Sequence, residues 1–213
     1  MNLTVCEIFK SIQGESSFAG LPFTIVRLTG CNLRCSYCDT HYAWAEGEQM
    51  SVGDIAQSVE ELGMKHVLVT GGEPLLQPSS LELIERLLME RRIVLVETNG
   101  SMDISVLPEK AIAIMDIKCP GSGQSHMMDW NNLERLRPID QVKFVLTDRR
   151  DYNWAAEICR KSLIGSCKEI LMSTAFGRLS PRELADWMLS DNLEVRLQLQ
   201  LHKQIWPDEL RGV

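Results

Sequence analysis

Three observations predict an α/β fold with a largely parallel sheet, curved into an incomplete (βα)6 barrel. Short β-rich runs alternate with helical patterns along nearly the whole chain, as successive βαβ units require. About six such units fit into 213 residues, where a complete eightfold barrel takes about 250. The last run, Glu194–Leu201, has Val195, Leu197, Leu199 and Leu201 on one face and Arg196, Gln198, Gln200 and His202 on the other. A strand buried on both faces should be continuously apolar, so the polar face suggests a solvated or ligand-filled lumen, or an edge strand meeting solvent. A doubly wound open sheet is the alternative that periodicity leaves open. No Pro/Gly/Ser-rich linker or internal repeat interrupts the pattern, and a single domain over residues 1–213 is expected.

The chain opens with the β-rich run Leu3–Ile8, an N-terminal strand ahead of the barrel. A Gln-Gly-Glu loop follows, and Phe23–Thr29 reads as the first barrel strand. Ser51–Leu62 has helical periodicity, and His66–Thr70 is the next strand. Ser79-Ser80-Leu81-Glu82 has the form of a capping box, with Leu81, Ile84, Leu87 and Leu88 at helical spacing behind it. Ile93–Glu97 and Ala111–Lys118 read as strands, separated by a short helical piece at Asp103–Leu107. Trp130–Arg137 is expected to be helical, Gln141–Leu146 a strand, Asp151–Ser162 a helix and Glu169–Met172 a strand. Ser180-Pro181-Arg182-Glu183 joins an N-cap to Pro in the first turn and Glu at the third position, so a further helix starts there.

The composition is that of an ordinary globular protein, 45% hydrophobic and 24% charged. No apolar run approaches the ~20 residues of a membrane span. Met1–Glu7 lack the basic-then-apolar layout of a signal peptide. A formal charge of -7 argues against affinity for phosphate backbones, so neither nucleic acid nor membrane is an expected partner. Seven cysteines is an odd number. That count fits a reducing, cytoplasmic setting in which thiols serve metals or catalysis.

Three of the seven, Cys31, Cys35 and Cys38, form a C-x3-C-x2-C group directly after the first barrel strand. Three thiolates so close in sequence can wrap one soft-metal centre, either zinc or an iron–sulfur cluster. Zinc needs a fourth ligand, for which His41 is the near candidate. A four-iron cluster held by three cysteines leaves one iron open to a substrate, whereas relay clusters are usually fully Cys-ligated. The predicted strands also end in polar residues: Thr70-Gly71-Gly72-Glu73-Pro74, Glu97-Thr98-Asn99-Gly100 and Asp116-Ile117-Lys118. Ligands in α/β folds bind at these carboxyl ends.

The cysteine triple, with Gly71-Gly72-Glu73 one βα unit later, resembles the radical S-adenosylmethionine (SAM) superfamily. The ordered set Glu7–Glu15, Arg27–Leu33, Cys35–Thr40, Thr70–Pro74, Glu97–Gly100, Asp116–Lys118 and Gln200–Lys203 is similar to the family of 7-carboxy-7-deazaguanine synthases, and spans nearly the whole chain. The resemblance implies a lyase of queuosine and 7-deazapurine biosynthesis with a barrel of the radical SAM type. Such an enzyme converts 6-carboxy-5,6,7,8-tetrahydropterin to 7-carboxy-7-deazaguanine with loss of ammonia. It also implies a [4Fe-4S] cluster on Cys31, Cys35 and Cys38, SAM, Mg2+ at Thr40, an external electron donor such as flavodoxin or ferredoxin, and a homodimer.

By the same likeness, Ile12, Gln13, Gly14, Glu15, Arg27, Thr70 and His202 contact the pterin, and Tyr37, Cys38, Asp39, Gly72, Glu73, Asp116, Ile117 and Lys118 contact SAM. The chemistry of these residues suits the tasks. The planar fork of Arg27 matches a carboxylate. Glu73 and the carbonyls beside it offer acceptors to an ammonium, which needs acceptors only. Glu15 can accept from a guanidine-like N–H edge or stand as a solvated carboxylate. One departure stands out. Ser16 occupies the place after Gln-Gly-Glu where the family usually has glycine, and would be strained if that position needs positive φ. Two other readings stay open: a glycyl-radical-enzyme activase with the same cysteine triple, and a non-catalytic zinc-binding module.

Overall fold

The computed structural model describes residues 1–213. One nine-stranded sheet carries every strand, in the order β3-β1-β2-β4-β5-β6-β7-β8-β9. The strands are β1 (Asn2–Ile12), β2 (Pro22–Leu28), β3 (Glu48–Ser51), β4 (His66–Gly71), β5 (Ile93–Thr98), β6 (Ile112–Ile117), β7 (Gln141–Leu146), β8 (Glu169–Thr174) and β9 (Arg196–Gln198). From β2 to β9 all neighbours are parallel, while β1 pairs antiparallel with β2 and β3. The sheet keeps two free edges, at β3 and β9, so the barrel is incomplete, as expected. No helix is long and apolar enough to cross a membrane.

The alternation along each parallel strand builds two different surfaces. Val67 and Val69, Val94 and Val96, Ala113 and Met115, and Val142 and Phe144 face outward into the main core. That core is shared with α1 (Val52–Leu62), α2 (Ser79–Met89), α4 (Arg149–Ile158) and α5 (Pro181–Ser190), through residues such as Ile55, Leu83, Tyr152 and Leu184. The inward positions start apolar, with Phe23, Ile25, Leu68, Leu95 and Ile114 clustered as the barrel floor. One step further toward the carboxyl ends, the same face carries Arg27, Thr70, Glu97, Asp116 and Lys143.

Several elements differ from expectation. The Ser79 capping box does not form: α2 starts on Pro78 without a side-chain cap, because the Ser80 and Leu81 N–H groups bond back to the carbonyls of Gln77 and Pro78. At Ser180 the capping box is complete. The region around Trp130–Arg137 holds only a single turn, α3 (Asn132–Arg135). α4 starts earlier than expected because Asp148 caps it, accepting from the N–H groups of Arg150 and Asp151. Strand β3 was not foreseen; its residues Glu48–Ser51 are polar enough to lie at an edge. The last strand stops at Gln198, and Leu201–Ile205 form the short helix α6. Leu201 donates its N–H to Gly14 O and Gln200 reaches Glu15, which pulls the chain off the sheet.

Ser16 does adopt positive φ, at 68°. For a non-glycine residue this costs about 1–2 kcal/mol, partly offset because its Oγ accepts from the Phe18 N–H at 3.1 Å.

A buried clamp fixes the start of the β6–β7 pair. Asp140 is fully buried and accepts from the Ala113 N–H at 2.9 Å and from the Arg137 guanidinium at 2.7 and 2.8 Å. Asp140→Ala removes one partner of a shielded ion pair and orphans the Ala113 donor. It should lower unfolding free energy by about 3 kcal/mol in chemical denaturation; a loss below 1 kcal/mol would contradict this role.

Candidate active site

The carboxyl ends of the parallel strands surround one cavity. Its polar tier is organised by Lys143, which enters from β7 and is almost fully buried. The Lys143 ammonium donates to Glu15 Oε2 at 2.7 Å and to Glu97, and lies 3.8 Å from Asp116. Burial would strip such an ammonium of its charge, but the carboxylates of Glu15, Glu97 and Asp116 hold its pKa well above the usual lysine value. Glu97 is the mirror case: burial opposes its charge, and Lys143 nevertheless holds it below the ordinary carboxylate range. Thr70 donates to Glu97 at 3.2 Å, and Gln200 donates to Glu15 at 2.9 Å. Asp116 and Lys118 form a further pair at 2.7 Å.

The cysteine loop closes one side of the cavity. Cys31, Cys35 and Cys38 are half-buried unpaired thiols that line it. Burial pushes the Cys35 and Cys38 thiols up, an effect the Lys118 ammonium opposes, so metal binding must displace their protons. The Leu33 N–H and the Asn99 amide approach Cys31 Sγ at 3.4 and 3.8 Å. No three His, Cys, Asp or Glu side chains converge on a point that one ion could occupy. Three cysteines on one loop would be the donor set of a four-iron cluster that keeps one iron open to a ligand. Two buried polar atoms of the cavity lining, the Tyr37 hydroxyl and Asp116 Oδ1, have no partner within the chain. They offer hydrogen-bonding positions beside the thiols, as a polar nucleoside would require.

Gly71 and Gly72 bring the end of β4 against this loop. Gly71 has φ 147°, and a Cβ on it would lie 2.0 Å from Leu28 O; at Gly72 it would lie 2.0 Å from Gly30 O and 2.8 Å from Cys31 Cβ. The close approach allows Gly72 N–H to bond Leu28 O at 3.1 Å and Glu73 N–H to bond Gly30 O at 2.7 Å.

The family model described as the Radical SAM superfamily matches residues 25–120. A 7-carboxy-7-deazaguanine synthase of Koribacter versatilis is 40% identical over 226 residues, covering 99% of this chain and 100% of the relative. That of Chlorobaculum tepidum is 44% identical, covering 99% and 97%. The chain belongs to the 7-carboxy-7-deazaguanine synthase family. Membership of this radical SAM family implies a [4Fe-4S] cluster and SAM. The crystal structure of QueE from Escherichia coli shares the fold, with a TM-score of 0.77 at 22% identity over 94% of both chains. SuiB of Streptococcus suis bound to S-adenosylmethionine superposes at a TM-score of 0.56 and 11% identity, over 82% of this chain and 45% of SuiB.

In this 7-carboxy-7-deazaguanine synthase family member, the cavity gathers Ile12, Gln13, Gly14, Glu15, Arg27, Thr70 and His202, with Tyr37, Cys38, Asp39, Thr40, Gly72, Asp116 and Lys118. Two expected SAM contacts do not line it. The Glu73 carboxylate is fully buried and accepts from Leu75 N–H, Thr98 Oγ1 and Asn99 N–H at 3.0, 2.9 and 2.6 Å, bonds that brace the strand ends. Ile117 points into the main core, leaving only its backbone for a ligand. His202 reaches the site from α6, not from the last strand, and packs so tightly on Gly14 that a Cβ there would lie 2.1 Å from its Nδ1. Burial lowers the His202 pKa against the pull of Glu15, which favours the neutral ring. Cys119 is buried in the core, away from the cavity.

Lys143, Glu97 and Gln200 escaped assignment from sequence. A signal for Lys143 existed: a lysine inside the apolar strand run Gln141–Leu146, sharing a face with Gln141. Lys143→Met should leave Glu15 and Glu97 without their cation while Asp116 keeps Lys118, costing about 3–5 kcal/mol at pH 7. The depressed Glu97 pKa contributes stability present above the ordinary carboxylate value and lost as pH falls through the depressed one. The Tm gap between wild type and Lys143→Met should therefore hold steady from pH 7 down to the ordinary carboxylate value and narrow below it, measured by calorimetry between pH 7 and about pH 3; a gap that stays constant throughout would count against the ionic role.

Proposed function

We propose that this chain converts 6-carboxy-5,6,7,8-tetrahydropterin to 7-carboxy-7-deazaguanine with loss of ammonia, in 7-deazapurine biosynthesis. The observation that carries the reading is the pairing of the cysteine loop with Arg27 across one cavity. Arg27 gives its Nε–H to Glu7 at 2.7 Å, while its Nη groups have no partner in the chain and suit a bidentate carboxylate. Fixing the carboxylate fixes the ring carbon that bears it, the C6 whose hydrogen must be removed. Glu15 and Gln13 line the same cavity and offer acceptors to an N–H-rich pterin edge, and His202 packs against Gly14 beside them.

When bound, the cluster and SAM supply a 5′-deoxyadenosyl radical that takes a hydrogen from substrate and can later return one. The chain's part is to orient the pterin and exclude water. Thr40 Oγ1 and the Asp39 carboxylate, 2.9 Å apart, are the hard oxygen donors beside the thiols. They suit Mg2+ only if waters and the substrate carboxylate complete its shell, and Lys203, bonded to Asp39, competes for the same carboxylate. Reductive cleavage of SAM takes one electron, for which we propose an external donor such as flavodoxin or ferredoxin. A cytoplasmic homodimer completes the proposal. A glycyl-radical-enzyme activase is disfavoured because Arg27 and Glu15 line one cavity, offering donors to a carboxylate and acceptors to the N–H groups of a small ligand.

The deciding experiment incubates the reduced, cluster-reconstituted protein with SAM and the carboxylated tetrahydropterin under anaerobic conditions. Mass spectrometry should show a product lighter by one ammonia, and Cys35→Ala should form neither cluster absorbance nor product. A colourless wild-type protein holding one zinc ion sinks the reading. Thr40→Ala should need about tenfold more Mg2+ for half-maximal rate; an identical Mg2+ response removes Thr40 from the site.

A further inference from the structure

Glu7 is assigned no task above, yet it meets three separate parts of the site. It sits on β1 opposite Arg27 of β2, and both side chains are shielded, at 16% and 14% exposure. Glu7 Oε1 accepts from Arg27 Nε at 2.7 Å and from the Tyr42 hydroxyl at 2.9 Å. Its other oxygen, Oε2, accepts from the Gly212 N–H at 3.3 Å. Gly212 belongs to segment 207–213, which leaves α6 and runs back to the cavity, where Glu209, Leu210 and Val213 contribute to the lining. Arg211 holds the same segment through Glu46 at 2.7 Å and stacks 4.2 Å from the Tyr42 ring centroid.

One carboxylate thus touches both a guanidinium of the cavity lining and a segment that contributes to the same lining. We propose that Glu7 is a positioning residue, orienting Arg27 for the substrate carboxylate and tying segment 207–213 over the cavity. The proposal rests on the carboxylated-pterin reading above. The physical reason is geometric. Two-point recognition of a carboxylate needs both Nη groups presented in one plane, and a guanidinium held at Nε keeps that plane without losing a donor used for the ligand. Removing Glu7 leaves Arg27 charged but unaligned, so a ligand that carries a carboxylate suffers more than one that lacks it.

The test compares reconstituted wild type, Glu7→Ala and Glu7→Gln, with SAM present and no reductant, so binding is read without turnover. The probes are 6-carboxy-5,6,7,8-tetrahydropterin and the same tetrahydropterin without its carboxylate. Glu7→Ala should weaken the carboxylated probe about 10- to 100-fold and the other by less than about twofold. Glu7→Gln keeps an acceptor at the same reach and should recover most of the loss; Glu7→Met, which fills the space without an oxygen acceptor, takes the place of the alanine variant if that fails to fold. Hydrogen exchange across residues 207–213 should quicken in Glu7→Ala. Equal losses for both probes, or no loss, overturn the positioning role, and unchanged exchange overturns the strap. Should wild type bind both probes equally, the substrate reading itself fails, and the exchange result still decides whether Glu7 fastens the segment.

Discussion

A single buried ammonium organises the interior of this barrel. Lys143 stands at the level where the inward-facing residues change from apolar to charged, and its bonds to Glu15 and Glu97 join the loop after β1 to the end of β5. Three carboxylates at such close quarters repel one another in a shielded lumen, and a cation among them offsets that repulsion. Thr70 and Gln200 then have fixed acceptors to meet. The polar tier holds its shape because each member satisfies another, which is the condition for a buried network to rigidify a site.

The close approach of backbone to backbone does comparable work beside it. Gly71 and Gly72 let β4 touch the ends of β2 and of the cysteine loop, and the two bonds from Gly72 and Glu73 lock that contact. Glu73 completes the brace by collecting donors from Leu75, Thr98 and Asn99. A carboxylate buried without a cation is tolerated when such donors surround it, although burial still raises its pKa. The Gly-Gly-Glu sequence therefore fixes where the thiols stand relative to the strands.

Much of the architecture was legible because period and position carry it. Strand–helix alternation gave the parallel sheet, the cysteine spacing singled out a loop that lines the cavity, and the strand ends pointed to that cavity. What stayed hidden depended on partners distant in sequence. Glu73 has the chemistry of a ligand for an ammonium, and only the fold shows that its oxygens face Thr98 and Asn99. The alternation from Val195 to His202 read as one strand, but the bond from Leu201 N–H to Gly14 O turns the chain into a helix. Lys143 lay inside a predicted strand, and its meaning required knowing that Glu15 stands opposite across 128 residues.

The charges around the cavity bear on what it can hold. Lys118 is matched by Asp116, Lys143 by Glu15 and Glu97, and Lys203 by Asp39. Each ammonium already has a carboxylate, so an anion arriving in the cavity gains little from any of them. Arg27 differs because a guanidinium carries five N–H donors and Glu7 takes only the one at Nε. Its Nη donors have no partner in the chain, and Arg27 lines the cavity together with the carboxylates of Glu15, Glu97 and Asp116. A ligand that suits this arrangement has one carboxylate at the Arg27 end and N–H donors elsewhere. The same arrangement penalises a dianion, because the surrounding carboxylates leave no second cation free to meet it.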